Sequence, residues 1–335
     1  MRKTQFALAA LALVASSAAL AEGVTVYGTA DVSVVHTDNG TFLGGAGNSA
    51  GSIIGFKGSE DLGGGLKATF NLEAGYTGND GSTANGGNVG FGESGATVLF
   101  NRAANVGISN GVLGATLGTQ ISPFIAGELV GATAVGGNGV FVPGLFLVNG
   151  GTLAGTTESA GGFFIPDAIS LSANVGGVSV HGLTRAIGNS SVAGSEKYNA
   201  INAVASFGAI NASISYQDVN SESAVGSNTV VAANTTIGDV RINGAYGSNK
   251  GSFDSTGYMV GASMPLIGAI SGGLTYARNA SMYSMTSVSA QYTFSKSTFA
   301  YANYSHFSEA TGVAANDNSG GSTKSILSVG LAKSF

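Results

Sequence analysis

The chain has 335 residues with 55 glycines, no cysteine and no tryptophan, and only 9% of it is charged, against about 25% in an ordinary globular domain. The formal charge is −5 and no basic cluster is present, which argues against a nucleic-acid partner. Without cysteine there is neither a disulfide framework nor a thiolate metal site.

Residues 1–21 read as an export signal. Arg2 and Lys3 form a basic start, residues 6–14 an apolar run, and Ala19-Leu20-Ala21 fits small-x-small cleavage. The run is shorter than the ~20 apolar residues a membrane span needs. Cleavage after Ala21 removes Arg2 and Lys3 and takes the net charge from −5 to −7. Beyond this segment no apolar run is long enough for a membrane helix, and the 44% apolar content is spread as alternation.

That alternation starts at residues 24–37. Val24, Val26, Gly28, Ala30, Val32 and Val34 share one face; Thr25, Tyr27, Thr29, Asp31 and Ser33 share the other. In a second strand, residues 52–59, Ile54 and Phe56 face outward and Gly55 and Lys57 inward. Residues 60–65 (EDLGGG) predict a tight turn. In residues 66–77, Leu66, Ala68, Phe70, Leu72 and Tyr76 oppose Lys67, Thr69, Asn71 and Glu73. Further strands are predicted at 97–109, 112–120, 167–175, 178–185, 197–207, 210–219, 229–236, 240–248, 255–264, 269–278, 283–294, 298–308 and 324–335. The total is about 16, an even number as single-chain bacterial barrels require. The last strand ends on Phe335, with Leu327, Val329, Leu331, Lys333 and Phe335 on one face.

Short connections such as Asn110-Gly111 and Gly176-Gly177 alternate with long ones at 38–51, 78–96, 121–166, 187–196 and 309–323. Short turns on one side and long loops on the other are the asymmetry of outer-membrane barrels. Only a closed barrel or helices satisfy every backbone group inside a bilayer. The expected fold is therefore all-β: a transmembrane antiparallel β-barrel formed by residues 22–335 as one domain. The connection 121–166 far exceeds ~15 residues, and loops of that length are usually functional.

The run GFKGSEDLGGGLKATFNLEAG (residues 55–75) resembles the second and third strands of the general trimeric porins of Gram-negative bacteria, the betaproteobacterial group most closely. VTVYGTADVS (24–33), FNRAANVGIS (100–109), LGTQ (117–120) and the terminal VGLAKSF follow in the family's order. The resemblance implies sixteen strands, a homotrimer in outer-membrane lipid and lipopolysaccharide, and passive diffusion of ions and small hydrophilic solutes. It implies insertion machinery that reads the strand end at Phe335. It also implies that loop 121–166 folds inward as the constriction.

The family's ladder of wall arginines is depleted in this chain. Lys57 and Arg102 stand at two cation positions, whereas Ile53, Thr119 and Ser170 occupy three others. Residues 121–166 carry only Glu128 and Glu158 as charges and are rich in Phe, Leu and Ile. This loop could lie on the wall as a lid, or form an apolar eyelet. The expected pore lining is Lys57, Arg102, Glu128, Glu73, Asp31 and Tyr27, with Lys57 and Glu128 facing each other at the narrow point. Arg102 is assigned to the lumen through the resemblance, because strict alternation puts it with Ala104, Val106 and Ile108. Opposite signs nearly balance, so weak ion selectivity is expected.

Catalytic and metal chemistry find no support in the sequence. His36, His181 and His306 lie in different strands with no Cys beside them. No motif marks a nucleophile, and residues 86–92 (GGNVGFG) lack the strand-then-helix context of a dinucleotide loop. No enzyme activity and no cofactor are expected. The alternative is a secreted, glycine-rich, adhesin-like or structural surface protein. It lacks the expected repeat of ~20–50 residues.

Overall fold

A computed structural model of the chain describes residues 22–44, 49–83, 99–131, 164–185, 197–220, 225–251, 254–280, 284–311 and 323–335. The export segment, Glu158 and most of loop 121–166 lie outside the described residues.

Among the described residues, eighteen strands share one sheet. They are β1 (Glu22–Thr37), β2 (Gly40–Gly44), β3 (Ile53–Gly63), β4 (Leu66–Gly75), β5 (Ala103–Ser109), β6 (Leu113–Ile121), β7 (Phe164–Ile165), β8 (Ala168–Val175) and β9 (Val178–Arg185). After these come β10 (Lys197–Phe207), β11 (Ile210–Asn220), β12 (Val225–Ile237), β13 (Val240–Gly251), β14 (Ser255–Ile267), β15 (Ile270–Asn279), β16 (Ser284–Ser295), β17 (Thr298–Thr311) and β18 (Thr323–Ser334). Strands β2 and β7 are short pieces inside loops; the other sixteen are the wall. Each wall strand pairs antiparallel with its neighbours, and β1 closes the barrel by pairing with both β3 and β18. At the seam the Phe335 amide donates to the Gly28 carbonyl at 3.0 Å, and the Gly28 amide donates back at 3.1 Å.

The period-2 pattern sorts the wall into two faces. Val24, Val26, Val34, Ile54, Val106, Leu113, Leu171, Val260, Leu274 and Leu331 all point outward and are exposed. An apolar band this continuous fits lipid and not water. Tyr216, Tyr246, Tyr258 and Tyr304 lie toward its loop-bearing rim, and Phe207, Tyr292, Phe294 and Phe335 toward the rim of short turns. Aromatic girdles of this kind sit at the two membrane–water boundaries.

Several predicted boundaries move. Strand β3 runs on through Glu60, Asp61 and Leu62 to Gly63, so the turn contracts to Gly64-Gly65. Gly63, Gly64 and Gly65 have φ of +84°, +62° and +82°, a conformation that requires glycine here. Loop 38–51 contains β2, which extends the β1 ladder from Ser33↔Gly44 to Thr37↔Gly40. Strand β5 begins at Ala103, with residues 99–102 in turns and bends before it.

Loop 121–166 opens with structure of its own. Ser122 accepts from the Phe124 amide at 3.1 Å and caps helix α1 (Pro123–Glu128), with Pro123 in its first turn. A single 3-10 turn (Leu129–Gly131) follows. The helix satisfies its last carbonyls only in part, and the wall supplies further donors. The Ser213 hydroxyl donates to Gly127 O at 2.7 Å, Asn234 Nδ2 to Val130 O at 2.7 Å, and Asn243 Nδ2 to Gly131 O at 2.6 Å. Those three donors lie on the inner faces of β11, β12 and β13, so residues 122–131 of the loop lie inside the barrel. Phe124 and Ile125 are fully buried in an apolar cluster with Val35, Val230, Phe307 and Ile326 of the wall.

Candidate functional site in the lumen

The inner face of the first strands is organised in rungs by its register. One rung joins Tyr27, Gly55, Glu73 and Ala103; the next joins Thr25, Lys57, Asn71 and Asn105. Gly55 leaves room for the Tyr27 ring, whose atoms occupy the place a side chain there would take. The Tyr27 hydroxyl lies 2.8 Å from both Asn71 Oδ1 and Glu73 Oε2. Lys57 Nζ sits 4.9 Å from the Tyr27 ring centroid, a cation–π distance. The rungs therefore link Lys57 through Tyr27 to Glu73.

Glu73 in turn binds Arg102, whose Nε lies 2.6 Å from Glu73 Oε1. Arg102 has the same residue parity as outward-facing Ala104 and Val106, yet its side chain reaches the lumen. The reason is that residue 102 precedes β5 and is not bound by the pleat. Its amide still donates to Glu73 O at 3.1 Å, and its guanidinium lies 4.6 Å from the Phe164 ring centroid at the far end of the third loop. Among the described residues Lys57 forms no ion pair, so its charge is not cancelled in the way that of Arg102 is.

The other expected positions separate. Asp31 is on the inner face but has no exposed surface. Its Oδ2 accepts from the Ser49 and Ala50 amides at 2.8 Å each, and its Oδ1 from the Tyr301 hydroxyl at 2.6 Å. Asp31 thus fastens the first loop and β17 to β1 and is withdrawn from the passage. Glu128 is the last residue of α1, against the wall formed by β10–β12 and several strands round from Lys57 on β3. Its side chain lies outside the described residues.

Of the three positions without a cation, Ile53 is inward, in a rung with Thr29 and Gly75. Ser170 is also inward and donates to Gln120 Oε1 at 2.6 Å. Thr119 is a correction. It pairs with outward-facing Ala104, and Gln120 takes the inward place beside it. An arginine at 119 would point away from the passage.

Two inner-face cations were missed by the sequence reading. Arg185 lies 3.5 Å from Asp167 at the end of the third loop. Arg241 shares the inner face of β13 with Asn243, near the short-turn rim. The signal was alternation: each has the parity of a buried inner-face neighbour, Leu183 or Asn243. At the opposite rim, Asp38 joins the first turn to β18. It accepts from the Lys324 amide at 2.6 Å and the Ser325 hydroxyl at 2.8 Å. Those bonds, the Lys324 amide first, hold its carboxyl below the usual aspartate range.

Comparison with known families gives a match to the family described as Gram-negative porin across residues 7–312. The chain belongs to the Gram-negative porin family. This porin is 36% identical over 147 residues to outer membrane porin protein 32 of Delftia acidovorans, a stretch covering 41% of this chain and 38% of that protein. An outer membrane porin protein of Bordetella pertussis is 32% identical over 128 residues, 33% of this chain and 31% of its own length. The matched stretches thus span under two fifths of these relatives. Among solved structures, the anion-selective porin from Comamonas acidovorans superposes with a TM-score of 0.65 at 20% identity, covering 93% of this chain and 99% of that one. Salmonella typhi OmpF in complex with daunomycin does so with a TM-score of 0.66 at 15% identity, covering 93% and 97%. These likenesses establish the fold of the porin, a sixteen-stranded outer-membrane barrel.

Proposed function

We propose that this porin is a passive diffusion channel for ions and small hydrophilic solutes, with weak ion selectivity. The supporting observation is the composition of the inner wall. Lys57, Lys67, Arg102, Arg185 and Arg241 carry the inner parity, or reach inward, on one sign; Asp31, Asp61 and Glu73 do so on the other. The Arg102–Glu73 pair cancels itself, and Asp31 is buried. From β10 to β18 the inner polar groups are almost all neutral, for example Asn202, Gln217, Asn228, Asn303 and Ser328. Such a wall offers hydrogen bonds and little net field. Lys57, Tyr27, Glu73 and Arg102 line one side of the passage in this reading, and the helix that carries Glu128 lines the other.

A homotrimer is part of the proposal. Outward tyrosines occur on β11, β13, β14, β15, β16 and β17. Among the described residues the outer faces of β1 and β3–β9 carry none. An arc with valine, leucine and isoleucine but no interfacial tyrosine suits a protein neighbour better than a lipid boundary. Val24, Val26, Val32, Val34, Ile54 and Phe56 would lie in that contact. The rest of the wall would meet lipid and lipopolysaccharide, and Phe335 would present the closing strand to the insertion machinery.

Single-channel recording in planar bilayers tests the channel reading. Stepwise conductance that rises in proportion to bulk salt, with a small reversal potential, is expected. Folded protein without conductance would refute it.

A further inference from the structure

We propose that the periplasmic half of the wall carries a binding station for a polyhydroxylated organic anion, with Lys57 as its charged anchor. The proposal rests on the diffusion-channel reading and adds a preferred solute class to it. The station lies below the Tyr27–Glu73 rung, toward the short turns. Thr25, Lys57, Asn71 and Asn105 stand side by side in one rung, and Ser59 and Thr69 are neighbours in the next. Four adjacent strands at ~4.8 Å spacing make this row about 14 Å long. These residues line a groove of about 540 Å³ whose lining has no carboxylate among the described residues. Its size falls among those of small-molecule sites, ~300–1,000 Å³.

Three features make it a site and not merely a wet wall. The ammonium of Lys57 is steadied over the Tyr27 face at 4.9 Å. The nearest acidic rung residue, Glu73, is already taken by Arg102 at 2.6 Å, so the Lys57 charge remains available to a solute. Gly107 ends the Ser59–Thr69 rung, and a Cβ there would meet Thr69 Oγ1 and Thr116 Oγ1 at 3.0 Å, so the glycine lets those two hydroxyls close up at the end of the rung. The flanking groups are hydroxyls and amides, which both donate and accept. They match a row of solute hydroxyls, whereas the lysine matches one anionic group as a point charge. A small anion without hydroxyls would use only Lys57, and a neutral sugar only the flanks.

The test is solute block of single-channel current in potassium chloride, with gluconate, acetate and glucose added separately to the short-turn side. Gluconate should reduce the current saturably, and acetate or glucose at equal concentration should not. Lys57→Gln should raise the half-blocking gluconate concentration about tenfold, the loss expected for one charge-assisted hydrogen bond. Asn71→Ala should raise it severalfold and leave the charge in place. Each block is measured against that channel's own chloride current. Equal block by acetate, or gluconate block that survives Lys57→Gln, would overturn the station. Absence of any chloride current in the wild type would overturn the channel reading instead.

Discussion

Neutralising the two members of the Arg102–Glu73 pair one at a time should move ion selectivity in opposite directions. In the wild type the guanidinium and carboxylate are 2.6 Å apart, and a passing ion meets a dipole with little net charge. Glu73→Gln uncovers Arg102, and Arg102→Gln uncovers Glu73. A unit charge ~5 Å from an ion in water contributes about 0.8 kcal/mol, and the ~10 Å Debye length at 0.1 M salt reduces this to about 0.5 kcal/mol. That energy enriches one ion sign about twofold and depletes the other about twofold. The cation-to-anion permeability ratio should therefore change about fivefold, toward anions in Glu73→Gln and toward cations in Arg102→Gln. Reversal potentials under a salt gradient read this directly, and the double variant should return close to the wild type. If both single variants shift the same way, or neither shifts, the pair does not border the ion path and the lumen assignment fails.

Other substitutions probe the remaining devices. Ile53→Arg should add an inward cation and shift the reversal potential toward anions; an unchanged potential would place residue 53 off the path. Asp31→Ala removes an acceptor of three hydrogen bonds at about 1 kcal/mol each, so the unfolding free energy in urea should fall by about 3 kcal/mol. Gly28→Ala and deletion of Phe335 should both lower the folded fraction on heat-modifiability gels. A Cβ at residue 28 would stand 2.5 Å from the Phe335 ring, and wild-type yields of both variants would remove the seam from the assembly pathway. The Asp38 carboxyl is held low, so its clasp on Lys324 and Ser325 is complete above the ordinary aspartate range and lost as the pH falls through the lowered value. The Lys324 amide resonance in detergent micelles should titrate only at such acid pH, and not at all in Asp38→Asn.

Alternation along the chain determined a great deal by itself. Period 2 in residues 24–37 or 324–335 assigns each side chain to lipid or lumen, because a strand with water on one side and lipid on the other has no third option. Lys57 and Tyr27 on the inner face, Ile54 and Val34 on the outer, and the closing role of Phe335 follow from that rule. The rule ends where the strand ends. Arg102 has outward parity and turns inward because it sits one residue before the pleat begins. Asp31 has inward parity and still leaves the passage, because a loop eighteen residues later in the chain supplies the two amides that cover it. The pairing of Arg102 with Glu73, and the row of Thr25, Lys57, Asn71 and Asn105, depend on register between strands far apart in sequence. A one-residue slip would reverse each face. Alternation gives a side chain's face but not its neighbour, and only the closed barrel decides which charges meet and which stay open to a solute.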